Sequence, residues 1–203
     1  VKTNADWSLF IDGTRATTYN GLNTAAKSSA TALYIGYGLA TSAGGATFKG
    51  YISNLRIVKG TDVYGYSNST ITVPSTPLTA ISGTSLLTCQ SNRFIDNSSN
   101  AFALTVNGTP SVQRFSPFNP TASYDTATIG GSGYFDGTGS SYLNTSTNTA
   151  FHLGTQDFTV EWWEYRFPNA SGVTGNQKVC CFGNSATYDP IMSDTDNGVS
   201  PPK

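Results

Sequence analysis

The stretch Phe48-Lys-Gly-Tyr-Ile-Ser-Asn-Leu-Arg-Ile-Val-Lys-Gly-Thr61 decides how this chain reads. Ile52, Leu55 and Ile57 are its strongly apolar positions, and Tyr51, Asn54, Arg56 and Val58 do not alternate cleanly with them. A half-buried strand repeats every two residues, so one slipped position changes which side chains face the core. The break at Ser53-Asn54 is what a β-bulge produces, and the stretch is predicted to be a bulged strand.

Working outward, the neighbouring segments carry strand and turn patterns. Trp7-Ser-Leu-Phe-Ile11 is a short apolar run closed by Asp12-Gly13, a hairpin turn whose glycine takes positive φ. Leu33-Tyr-Ile-Gly-Tyr37 repeats that style, and Gly44-Gly45 marks a turn before the bulged strand. Between Tyr64 and Thr84 the chain turns to Ser, Thr and Asn with Pro74 and Pro77, which reads as an extended, semi-stiff linker. Strands resume at Ser85-Leu-Leu-Thr-Cys89 and Phe102-Ala-Leu-Thr-Val106, the latter ending in the hairpin dipeptide Asn107-Gly108. After a loop from Phe115 to Asp125 containing Pro117 and Pro120 come Gly133-Tyr-Phe-Asp-Gly137 and Ser141-Tyr-Leu-Asn144. The run Phe158-Thr-Val-Glu-Trp-Trp-Glu-Tyr165 then puts Phe158, Val160 and Trp162 on one face, with Glu164 in the same phase. The turn-rich tail, Asn184 to Lys203, reads as loop.

Composition agrees with many short strands. Among 203 residues, 11% are charged and 12% aromatic, and no long helical periodicity is present. The formal net charge of -1 offers no attraction to a phosphate backbone or an anionic bilayer, so neither nucleic acid nor membrane is expected as a partner. No run approaches the ~20 apolar residues of a bilayer span, and Val1 is followed by no leader pattern. The missing Met leads to the expectation of a processed or excerpted chain. Cys89, Cys180 and Cys181 do not form a disulfide framework, and buried free thiols made in a reducing cytoplasm are expected. Asn-x-Ser/Thr triplets begin at Asn68, Asn97, Asn107, Asn144 and Asn169, as expected by chance in a chain this rich in those residues.

Short strands at this spacing predict an all-β fold, an antiparallel jelly-roll β-sandwich. Trp7-Ser-Leu-Phe-Ile-Asp-Gly13, Gly50-Tyr-Ile-Ser-Asn-Leu-Arg-Ile-Val-Lys-Gly60, Ser85-Leu-Leu-Thr-Cys-Gln-Ser-Asn-Arg-Phe-Ile-Asp-Asn-Ser-Ser99, Gly133-Tyr-Phe-Asp-Gly137 and Asp157-Phe-Thr-Val-Glu-Trp162 carry a family resemblance. On these motifs the chain resembles the laminin-G-like branch of the concanavalin A-like sandwiches, in the form common in tail and structural proteins of marine phages. In that family the Ser85 and Gly133 motifs open a module and the Trp7 and Gly50 motifs close one; here the closing motifs come first. The reading adopted is a chain that straddles a module junction. Residues 1–75 are then the C-terminal part of one sandwich, 76–84 a linker, and 85–203 the N-terminal part of the next. The alternative is one circularly permuted sandwich.

The resemblance implies a non-enzymatic structural or adhesion module on a virion surface, assembled in the host cytoplasm. Its expected partners are other virion subunits, copies of itself and host-surface glycans. The runner-up is a carbohydrate-binding lectin module of a bacterial adhesin. Among the residues, Trp163, Tyr51 and Tyr64 are the candidates for stacking on a sugar ring, each weighed against plain packing. Adjacent Trp162 and Trp163 place one ring inward and one outward. Asp12, Asp136 and Asp157 are weak candidates for calcium, since Asp12-Gly13 and Asp136-Gly137 also read as turns, and no other cofactor is expected. His152, the only histidine, has no nucleophile motif around it, and Glu161 and Glu164 point to opposite faces, the wrong arrangement for a paired-carboxylate hydrolase.

Overall fold

Period-two patterning builds thirteen strands in a computed structural model that describes residues 1–3, 6–19, 31–37, 47–119, 121–168, 177–183 and 189–192. They are β1 (Lys2–Thr3), β2 (Asp6–Ile11), β3 (Thr14–Tyr19), β4 (Leu33–Ile35), β5 (Lys49–Lys59), β6 (Thr84–Thr88) and β7 (Thr105–Asn107). The rest are β8 (Ser111–Gln113), β9 (Ser132–Asp136), β10 (Tyr142–Asn144), β11 (Phe158–Arg166), β12 (Cys180–Phe182) and β13 (Asp189–Met192). Helix among the described residues is limited to a 3-10 turn at Thr149–Phe151.

The strands form two antiparallel sheets. One runs β3-β2-β1-β11-β5-β9-β8, with β6 also paired to β5; the other runs β13-β12-β4-β10-β7. Between them lies a single buried cluster. Ile52, Leu55, Ile57, Leu86, Phe135, Phe158 and Val160 come from the eight-stranded sheet, and Leu33, Ile35, Leu143, Cys180 and Phe182 from the five-stranded one. The protein is therefore all-β and sandwich-like. Strands from both sides of residues 76–84 share each sheet: β5 pairs with β6, β9 and β11, and β4 lies between β10 and β12.

β5 is the organising strand. Opposite Trp162 of β11 it carries two residues, Asn54 and Leu55, because the register steps from Glu161↔Arg56 to Trp163↔Ser53. This is the expected bulge. It inverts the phase, so Ile52 faces the core before it and Leu55 and Ile57 face the core after it. On the other side the bulge marks a change of partner, since β9 pairs with Lys49 to Ile52 and β6 with Leu55 to Val58. Leu78 is buried, and its N–H donates to Asn54 Oδ1 at 2.8 Å, which ties the segment between β5 and β6 to the bulge.

Two local expectations differ. Asn107-Gly108 does not close a hairpin; it carries the chain from β7 in the five-stranded sheet to β8 in the eight-stranded one. Gly108 has φ 68°, and a Cβ there would lie 2.3 Å from the Ser140 carbonyl oxygen, so its glycine serves a close crossing. The tail is not all loop, because Asp189–Met192 pairs with β12. The Gly44-Gly45 turn and Asn169 lie outside the described residues.

An aromatic outer face as the candidate functional site

Alternation along β11 sends Phe158, Val160 and Trp162 toward the core and Glu161, Trp163 and Tyr165 away from it. The Trp162 indole N–H donates to Glu164 Oε2 at 3.0 Å, which keeps Glu164 in the Trp162 phase and away from Glu161. Directly across on β5, Arg56 faces Glu161, Ser53 faces Trp163 and Tyr51 faces Tyr165. At ~3.4 Å per residue the row from Glu161 to Tyr165 spans roughly 14 Å.

One end of the row is an ion pair. Arg56 Nε and Nη2 lie 2.7 and 2.6 Å from Glu161 Oε1, and Arg56 Nη1 donates to the Thr79 carbonyl at 2.8 Å. The pair is largely buried, with side-chain exposures of 6% and 13%. Tyr64 closes it by donating its hydroxyl to Glu161 Oε2. Burial first, and then this bond and the charge of Glu161, push the Tyr64 phenol well above its ordinary range. Tyr64 is positioned by Asp62, whose carboxylate accepts the N–H groups of Tyr64, Gly65 and Tyr66.

The other end is a ring cluster. Tyr51 has Phe115, Tyr134, Phe167 and Tyr165 around it at centroid distances of 4.7, 5.3, 5.8 and 6.3 Å. Trp163 lies between the two ends, with Phe118 packed edge-on at 5.1 Å. Tyr165 is the most open ring, 41% exposed. The hydroxyls of Tyr51, Tyr134 and Tyr165 and the indole N–H of Trp163 have no hydrogen-bond partner among the described residues. Flat apolar faces beside phenols with no partner among the described residues suit a partner that is both ring-shaped and hydroxylated.

The structure thus brings Tyr64, Trp163 and Tyr51 to one face, with Tyr64 engaged by Glu161 and the other two in ring contacts. It does not bring the three aspartates together. Asp12 sits in the β2–β3 turn at φ 49°, and the Asp157 backbone carbonyl accepts the Gly60 N–H at one end of β5. Asp136 pairs with Lys49 at the other end, roughly 33 Å away along the strand. Asp136 Oδ1 takes the Thr138 N–H and hydroxyl at 2.8 Å each, and Oδ2 takes the Thr109 hydroxyl at 2.5 Å. Burial acts to raise its pKa, but the bonds from Thr109 and Thr138 outweigh that and hold it at about 2. Among the described residues, no three His, Cys, Asp or Glu side chains converge as metal ligands would. His152 caps the 3-10 turn through its N–H to the Thr149 carbonyl.

All three cysteines are buried and none forms a disulfide. Burial pushes the Cys89 thiol up to about 12, which keeps it protonated at neutral pH.

Sequence reasoning missed Phe115, Phe118 and Phe167, which reach the face from outside the strands. Tyr165 was legible, being in phase with Trp163. A second cluster, Tyr34, Tyr37 and Tyr142, lies with the five-stranded sheet, where Tyr37 and Tyr142 stack at 4.9 Å. Burial, and then the neighbouring Tyr142, Cys181 and Tyr37, raise the Tyr34 phenol. Comparison of the chain with protein-family models, curated proteins and solved structures finds no match.

Proposed function

We propose that the protein is a non-enzymatic contact module of a virus particle surface, a jelly-roll sandwich of the laminin-G-like kind, with the aromatic outer face of the eight-stranded sheet as its contact surface. The observation that carries this reading is the convergence of Tyr51, Trp163 and Tyr165 on one face beside phenols that have no partner among the described residues. The motifs Gly50 to Gly60 and Asp157 to Trp162 support the family part of the reading, because they supply the two paired strands that build the face. The contacts proposed are with neighbouring virion subunits, with copies of itself and with host-surface glycans, and no cofactor takes part.

The β5–β6 pairing within one chain favours one interleaved sandwich of permuted strand order over two half-modules. Phenols with no partner among the described residues favour a second reading of the same face, a lectin module of a bacterial adhesin, since hydroxyl groups recognise sugars better than they recognise apolar protein. The test is binding of the intact chain to a panel of neutral oligosaccharides, together with sedimentation velocity for self-association. Tyr165→Ala is expected to weaken whichever contact is found, at least fivefold for a ring-stacking contact worth ~1 kcal/mol or more. Undiminished binding by that variant would remove the face from the reading.

A further inference from the structure

The aromatic face already has an occupant, supplied by the chain itself. Between β8 and β9 the chain leaves the sheet at Gln113 and returns at Ser132, which are paired with each other. The described residues of this excursion, 114–119 and 121–131, form a loop whose ends meet. Phe115 packs 4.7 Å from Tyr51 and 5.6 Å from Tyr165, and Phe118 packs 5.1 Å from Trp163.

The loop is held together from within. Ser116 Oγ donates to the Ile129 carbonyl, and the Phe118 N–H donates to Ser116 Oγ at 3.2 Å. The N–H groups of Ile129 and Gly130 reach the Asp125 carbonyl at 3.1 and 2.6 Å. The Asp125 carboxylate takes the N–H groups of Ala127 and Thr128 at 3.1 and 2.8 Å. From residues 114–119 and 121–130 to the described molecule outside the loop runs one hydrogen bond, from the Asn92 N–H to Tyr124 Oη at 3.0 Å. At the base, the Gly131 N–H donates to the Gln90 carbonyl at 3.1 Å and the Gly131 carbonyl accepts from Ser53 Oγ at 2.6 Å. Most of these residues are exposed, while Phe115 and Phe118 are half-buried. Among the described residues the body of the loop is tied to the rest by three ring contacts and one hydrogen bond, with Gly131 fixed as its base, so that body lifts about Gly131 without opening a strand ladder.

We infer that this loop is a movable cover, with Phe115 and Phe118 standing where the flat apolar face of a partner's ring is to lie, and that the face is free to bind only when the cover lifts. The inference rests on the reading of this face as a contact surface. Because only the open fraction binds, the cover lowers apparent affinity by that fraction, and removing the two phenyl plugs raises it.

The experiment uses the intact chain labelled with 5-fluorotryptophan, its Trp163 resonance assigned through Trp163→Phe, and cellohexaose as a neutral probe. In Phe118→Ala, the Trp163 signal is expected to acquire a solvent isotope shift while the Trp7 signal and the urea midpoint stay close to those of the unaltered chain. The double variant Phe115→Ala/Phe118→Ala is expected to bind cellohexaose at least ~5-fold more tightly than the unaltered chain. A Trp163 signal that stays shielded, or loss of the whole fold in Phe118→Ala, makes the loop a fixed part of the core and overturns the cover. Amide exchange on the unaltered chain gives an independent reading: the Asn92 N–H exchanges well ahead of the β5–β11 ladder if the cover lifts, and together with it if the cover does not. Exposure of Trp163 with no cellohexaose binding by either form leaves the cover standing and counts against the glycan reading alone.

Discussion

Asn54 sits at φ 53° within β5, with its Oδ1 accepting the Leu78 N–H and its Nδ2 donating to Ser53 Oγ at 2.8 Å. Its backbone N–H donates to the Cys89 carbonyl at 3.1 Å. Asparagine tolerates the left-handed region better than most residues, and here its amide also satisfies a buried donor. Asn54→Ala strains the backbone and orphans the Leu78 N–H, an expected loss of about 2–4 kcal/mol in urea unfolding. Asn54→Gly relieves the strain but not the orphaned donor, so its midpoint should lie between those of the alanine variant and the unaltered chain.

The Arg56–Glu161 pair is tested in the same way. Glu161→Gln leaves a buried guanidinium without its countercharge, an expected cost of about 3–5 kcal/mol, whereas the double change Arg56→Met/Glu161→Leu should cost far less. Equal losses from the single and double variants would mean that the pair adds net stability.

At the scale of elements, the turn after β9 is held by Asp136, which binds Thr138 within the turn and Thr109 from the crossing between the sheets. Its pKa of about 2 lies below the ordinary ~3.9 of an unfolded aspartate, so the folded state favours the ionised form. That contribution is complete above about pH 4 and is lost as pH falls toward 2. The group is mostly solvated, so the effect is small, and the measurement is the slope of the urea midpoint between pH 4 and 2. Asp136→Asn is expected to flatten that slope.

The β2–β3 turn and the β5 bulge were legible because local chemistry, Asp12-Gly13 in one case and a broken period in the other, determines them. The crossing at Gly108 was not. Asn107-Gly108 specifies positive φ, but a hairpin and an inter-sheet crossing both use it, and the pairing of β7 with β10 depends on contacts more than thirty residues away. Phe115 and Phe118 were opaque for the same reason, since no periodicity places a loop residue over a distant strand.

At the scale of the whole molecule, the two aromatic clusters lie with different sheets, Tyr51 with its neighbours on one and Tyr34, Tyr37 and Tyr142 on the other. The all-β class was readable from the chain, and so were two of the face's main rings, Tyr51 and Trp163. Their meeting on one face depends on the bulge, which sets the register between β5 and β11. The measurement that tests the account most directly is an aromatic NMR titration of the intact chain, with tyrosine and tryptophan rings selectively labelled, against neutral oligosaccharides and against its own concentration. The account predicts shifts concentrated at Tyr51, Tyr134, Trp163 and Tyr165. Shifts confined to Tyr34, Tyr37 and Tyr142 would place the contact surface on the other sheet and contradict it.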